Sequence, residues 1–120
     1  MHAGELECLA LASNLKADAL LVDEKTTRLL VENPDLLLKS IEHEHRGKVS
    51  VNKKSLRDFR KAAYYAVIRS TEILAIAAEQ GFYRDYAEDE GEAARAAMHA
   101  LRYAGCSVTR RELDEYEQLF

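Results

Sequence analysis

Carboxylates stand at two points of the sequence where α/β proteins often carry out chemistry. Glu5 and Glu7 open an apolar segment that is predicted to be helical, and acids in a first helical turn interact favourably with the helix dipole. Asp23 and Glu24 directly follow a short apolar run, Ala19 to Val22, which is typical of a buried parallel strand. Because open α/β sheets bind their ligands at the carboxyl ends of strands, the acids after this run are candidate site residues.

A basic cluster lies between positions 48 and 61. Its members are Lys48, Lys53, Lys54, Arg57, Arg60 and Lys61. The cluster is either a solvated face or a contact for an RNA backbone, since phosphate binding requires local positive charge. The net charge of −4 argues against a basic footprint over the whole surface. Four tyrosines either stack on bases or pack within the protein: Tyr64, Tyr65, Tyr83 and Tyr86.

The apolar periodicity and the turn residues predict short strands that alternate with helices. A helix from Gly4 to Leu15, covered on most sides, precedes the run Ala19 to Val22. A second buried strand is expected at Tyr65 to Arg69, followed by a helix that Ser70 or Thr71 caps. This order predicts a parallel sheet with the two strands side by side.

The remaining helix boundaries follow from capping signals. Asn33 is expected to cap a helix with Pro34 at its first position. Thr109 and Glu112 fit the capping box of a final helix. Positions 48 to 51 are interpreted as a short strand or an extended linker, and positions 84 to 91 as a loop.

Length and composition indicate one domain without a membrane partner. The chain has 120 residues, of which 48% are apolar, an ordinary share for a globular protein. No apolar run approaches the roughly 20 residues that span a bilayer, and no signal peptide is evident. Cys8 and Cys106 are expected to be small buried hydrophobes in a reducing, cytoplasmic compartment.

Three segments of the sequence resemble the PIN-domain nucleases, in particular an archaeal branch of predicted nucleic-acid-binding proteins. The segment GELECLALASNLKADALLVDEKTTRLL, Gly4 to Leu30, is similar to the middle of a PIN domain. VIRSTEILAIAAEQGF, Val67 to Phe82, resembles the next strand and helix, and ALRYAGCSVTRRELDEYEQLF, Ala100 to Phe120, resembles the closing helices. The region from Pro34 to Ala63 is weakly covered and is expected to be a helical insertion.

The resemblance implies a helix-rich, three-layer α/β/α fold with a small parallel sheet and metal-dependent RNA cleavage or binding. Glu5 and Asp23 take the places of catalytic, metal-binding acids, and Glu24 is either an outer ligand or a solvated side chain. The ion would be Mg²⁺ or Mn²⁺, which prefer oxygen ligands. Secondary candidates are Glu7, about 200° around the helix from Glu5, and Thr71. Lys53, Lys54 and Arg57 are the expected nucleic-acid contacts.

One feature of the family is missing from the sequence. PIN domains begin with a central strand that ends in an aspartate, and no aspartate precedes Glu5 here. We therefore expect a partial PIN-like domain that cleaves little RNA alone. It would self-associate or acquire the strand from a separate chain, because unpaired strand edges invite pairing. The alternative function is a non-catalytic interaction or scaffold module whose acids are incidental.

Overall fold

Seven α-helices and two short strands form the part of the chain that the computed structural model describes, residues 3–120. In chain order they are α1 (Ala3–Asn14), β1 (Ala19–Leu21), α2 (Lys25–Glu32), α3 (Pro34–His45), α4 (Lys53–Ala62), β2 (Ala66–Ile68), α5 (Ser70–Glu79), α6 (Glu90–Tyr103) and α7 (Arg110–Leu119). The two strands pair in parallel in a two-stranded sheet. The expected helix-rich α/β architecture with adjacent parallel strands is therefore confirmed at this coarse level.

The chain divides into two compact units. The N-terminal unit extends to Val67, and the C-terminal unit runs from Ile68 to Phe120. The N-terminal unit contains α1 to α4 with β1, and the C-terminal unit contains α5 to α7 and a 3₁₀ turn at Phe82–Asp85. The turn follows Gly81, which has a φ of 79°. Positions 84 to 91 were expected to be a loop, but 84 and 85 belong to this turn and 90 and 91 belong to α6.

The predicted caps are correct for two helices and wrong for one. Asn33 caps α3 with Pro34 at N1, and the Thr109–Glu112 capping box begins α7. The cap of α5 lies at Arg69 rather than at Ser70 or Thr71, because the Glu72 carboxylate accepts the Arg69 backbone N–H at 2.8 Å. The segment from 48 to 51 forms no strand, and Asn52 caps α4.

The apolar side chains of α1 are less buried than the sequence predicted. Only Leu9 and Ala12 are buried in this helix, whereas Leu6, Leu11 and Leu15 are exposed. The interpretation of α1 as covered on most sides was therefore wrong. Cys8 is also exposed, although Cys106 is buried as expected.

The C-terminal unit contains a continuous hydrophobic core. Its buried members are Leu74, Ala94, Met98, Val108 and Leu113. Tyr83, Tyr116 and Phe120 pack against this cluster from outside. Helices α5, α6 and α7 all contribute to the core, as expected of amphipathic helices packed on one another.

Candidate functional site

The acid-bearing helix and strand of the sequence prediction both belong to the N-terminal unit. Glu5 lies in the first turn of α1 and is half-buried. Asp23, also half-buried, follows β1 by two residues and precedes α2 by two. The structure thus gives each acid the local setting that the sequence predicted, one at a helix start and one beyond a strand's carboxyl end.

Glu24 is the N-cap of α2. Its two carboxylate oxygens accept the backbone N–H groups of Thr26 at 2.8 Å and Thr27 at 2.7 Å. The Thr27 hydroxyl donates a further bond at 2.6 Å. Burial alone would raise the pKa of Glu24, but the bonds from Thr27 and Thr26 outweigh it and lower the pKa to about 2. Glu24 is therefore ionised at neutral pH, with both oxygens engaged in holding the helix.

The secondary candidates take up two different environments. Glu7 is exposed on α1. Thr71 is completely buried in the C-terminal unit, and its hydroxyl accepts a bond from the Tyr116 hydroxyl at 3.4 Å. A packed hydroxyl of this kind stabilises the contact between α5 and α7.

Among residues 3–120, no three side chains of histidine, cysteine, aspartate or glutamate come together as a metal-binding group. Glu5, Asp23 and Glu24 therefore do not enclose a cation by themselves. A complete site for Mg²⁺ needs near-ideal octahedral geometry with several oxygen ligands and waters. The described residues supply at most part of one.

The basic cluster lies along α4 and is exposed. Lys53, Lys54 and Arg57 are all solvent-accessible, as the sequence predicted. The opposite flank of α4 turns Leu56 and Phe59 towards α3, where they line an apolar groove of about 580 Å³. Lys53 also lines this groove, whereas Lys54 and Arg57 do not, so α4 is amphipathic with most of its cations away from the groove.

A second cavity, of about 760 Å³, lies where α4 ends and the two strands begin. Lys16, Lys61, Tyr64 and Tyr65 are among its lining residues. The Tyr65 hydroxyl donates to the Leu9 carbonyl at 3.3 Å, and burial raises the pKa of this phenol. Tyr64 is 91% exposed, so the two neighbouring tyrosines differ: one is held inside and the other stands in solvent.

An ion pair between the buried Arg69 and the half-buried Glu112 of the C-terminal unit was not anticipated. The Arg69 guanidinium donates to Glu112 at 2.9 Å and to the Ser107 carbonyl at 3.3 Å. Burial would lower the pKa of Arg69, but the bond to Glu112 raises it; burial would likewise raise the pKa of Glu112, but the Thr109 amide and Arg69 lower it. The only sequence signal was an arginine directly after an apolar strand.

Comparisons with models of known protein families, with curated proteins and with solved structures found no match to this chain. None of the helices within residues 3–120 is both long and apolar enough to cross a membrane.

Proposed function

We propose that this chain is part of a PIN-like domain of three layers that binds or cleaves RNA with the help of Mg²⁺ or Mn²⁺. The observation that supports the proposal is the order of elements in the N-terminal unit. An acid-headed helix, α1, leads to β1, and Asp23 follows the strand at its carboxyl end. Parallel pairing of β1 with β2 is the arrangement in which such strand ends bear functional residues.

In this proposal Glu5 and Asp23 are the carboxylates that hold the ion. Their oxygens are hard ligands that suit Mg²⁺ and Mn²⁺. A bound ion would polarise the phosphate and increase the acidity of a water. Glu24 acts indirectly, because its capping bonds fix the start of α2 directly after Asp23.

The proposed site needs at least one more carboxylate than the chain brings together. In the family this ligand ends a strand that lies between the two strands seen here. In this structure β1 and β2 are hydrogen-bonded neighbours, and the Ala66 N–H donates to the Asp18 carbonyl at 3.1 Å. Completing the sheet in the family's order requires these bonds to open, so we expect the chain alone to cleave little RNA.

Titration with Mn²⁺, followed by NMR, tests the site without relying on cleavage. The paramagnetic ion should broaden amide signals at the start of α1 and after β1, and Asp23→Asn should remove the effect. Asp18→Asn is the matched control, because Asp18 is an exposed acid just before β1. Broadening that is centred elsewhere, or that Asp23→Asn leaves intact, contradicts the assignment.

A non-catalytic interaction module is the second candidate. The engagement of both Glu24 oxygens in capping favours it, because an acid that holds a helix start has a structural reason to be present. Mn²⁺ titration separates the two candidates. If the chain is an interaction module, the wild-type protein binds the ion no better than the Asp23→Asn variant does.

A further inference from the structure

Helix α4 concentrates positive charge on one side. At 100° per residue, Lys53, Lys54, Arg57, Arg60 and Lys61 fall within an arc of about 120°. Asp58 is the helix's sole acid, and it lies outside this arc. All five cations are exposed. None of them forms an ion pair within the described part of the chain.

Part of this arrangement disfavours the isolated helix, whereas Arg60 and Lys61, in the last turn, suit the helix dipole. Lys53 and Lys54 occupy the first turn, where cations oppose the helix dipole, and no acid in that turn compensates them. Lys53 and Arg57 are four residues apart, as are Arg57 and Lys61, and like charges at that spacing repel. Repulsion among cations that no ion pair relieves within the described part of the chain is the kind of local conflict that is often found at functional surfaces.

An exposed aromatic ring, that of Tyr64, lies just beyond the C-terminal end of the charged arc. Lys61 lines the cavity at the end of α4 together with Tyr64 and Lys16. Tyr64 is 91% exposed, and the cavity's volume of about 760 Å³ lies within the range of ligand pockets. Proteins that bind single-stranded nucleic acid combine cations, which contact the phosphates, with exposed aromatic rings, on which bases stack.

The apolar side of α4 argues against a membrane as the partner of this face. Leu56 and Phe59 are half-buried and line the groove towards α3. They do not extend beyond the cations as residues that insert into lipid do. The five cations span nine residues, a rise of about 12 Å along the helix, which matches about three phosphates of one strand.

We propose that this face of α4, with Tyr64 at its end, binds the phosphate backbone of single-stranded nucleic acid and stacks one unpaired base. It deepens the nucleic-acid part of the proposed function, yet it needs neither Glu5, Asp23 nor a metal ion. The cations contact phosphates rather than base edges or sugar hydroxyls. The surface therefore binds RNA and DNA single strands equally. It prefers both to a duplex because only an unpaired base can stack on Tyr64.

Fluorescence anisotropy of the whole chain in EDTA tests this surface separately from the metal site. The probes are labelled oligo-U, oligo-dT, a DNA duplex and poly-glutamate. Contact with about three phosphates predicts a log–log salt slope of roughly −2, or about 15-fold weaker binding at 200 mM than at 50 mM salt. Tight binding of poly-glutamate, or of duplex above single strand, overturns the proposal in favour of an acidic protein or a duplex partner.

Charge reversal at Lys54→Glu, Arg57→Glu and Arg60→Glu should weaken oligo-U binding more than tenfold and flatten the slope. Glutamine at the same positions provides a milder variant if the reversal unfolds α4. The control reverses three exposed cations on other helices, Lys25, Lys39 and Arg102, with the same change in net charge. Equal loss in variant and control overturns the proposal, because it would show that only net charge matters.

Substitution of the aromatic ring tests the stacking. Tyr64→Ala should weaken binding about fivefold, whereas Tyr103→Ala, at a tyrosine that is 96% exposed, should not. Since these experiments contain no divalent ion, their failure leaves the Mn²⁺ result at Asp23 unaffected, and the reverse also holds. Equal effects of the two tyrosine substitutions overturn the role of Tyr64.

Discussion

The two units of this chain distribute their apolar residues differently. In the C-terminal unit, Met98 is completely buried in a cluster to which α5, α6 and α7 all contribute. In the N-terminal unit, Leu9, Ala12 and Leu29 are buried, but α1 and β1 leave Leu11 and Leu21 more than half exposed. The C-terminal unit also leaves apolar side chains exposed, among them Ile76 and Leu119, but it has a continuous buried cluster. In the N-terminal unit, Leu11 and Leu15 form an exposed apolar face at the end of α1.

This difference bears on function. Exposed apolar surface can mark a site of association, and the candidate acids Glu5 and Asp23 belong to the same unit as the exposed Leu11 and Leu15. The C-terminal unit is tied together by the Arg69–Glu112 pair and by the core. We interpret the C-terminal unit as the stable scaffold and the N-terminal unit as the part that binds partners.

The largest expected effect is on the core of the scaffold. Met98→Ala should lower the free energy of unfolding by about 2–5 kcal/mol, because it removes buried atoms and leaves a cavity. Leu11→Ala, at a side chain that is 55% exposed, should change it by less than about 0.5 kcal/mol. Urea unfolding of both variants measures the contrast. Equal losses would show that the N-terminal unit has a core of its own around α1.

Loss of the Arg69–Glu112 ion pair should have the next largest effect. Glu112→Gln should destabilise the protein by about 2 kcal/mol, because it weakens a charge-assisted bond to Arg69 and the capping box of α7. Glu115→Gln is the control, since Glu115 pairs with Arg111 on the surface and should contribute about 0.3–0.5 kcal/mol. Similar losses from the two substitutions would contradict the structural role of Arg69.

Association should depend on the apolar face of the N-terminal unit. We expect self-association, or pairing with a separate chain, at micromolar concentration. Leu11→Lys with Leu15→Lys should weaken it at least tenfold, about 1.4 kcal/mol, because charged groups resist burial. Sedimentation velocity gives the measurement, and Leu119→Lys, at an exposed residue of the C-terminal unit, gives the control. A monomeric wild-type chain would refute the expectation.

The smallest effect concerns the Glu24 cap. Because folding lowers the pKa of Glu24 from 4.5 to about 2, its stabilisation is complete above pH 4.5 and is lost as the pH falls towards 2. Glu24→Gln should cost about 1 kcal/mol at pH 7 and remove this component of the acid sensitivity. An NMR pH titration of the Glu24 carboxyl measures the pKa directly. A value near 4.5 would mean that the capping bonds to Thr26 and Thr27 do not persist.

Local signals predicted the elements well because they act within a few residues. Asn33 with Pro34, and Thr109 with Glu112, marked helix starts that the structure confirms. The cap of α5 was misplaced because Ser70 and Thr71 are both good capping residues, and sequence does not reveal that Glu72 reaches back to Arg69. The acids Glu5 and Asp23 were placed correctly on their elements by the same local reasoning.

The sequence by itself determined which segments become helices and strands, and it determined the one-sided charge of α4, because periodicity and capping are properties of neighbouring residues. Only the tertiary structure decided which apolar faces are covered. It buried Met98 and Thr71 and left Leu11 and Cys8 exposed, although these residues look equally suited to a core. It also placed Arg69 within hydrogen-bonding distance of Glu112, which lies 43 positions later in the sequence. Burial and ion pairing depend on contacts between residues that are distant in sequence, and no local pattern predicts those contacts.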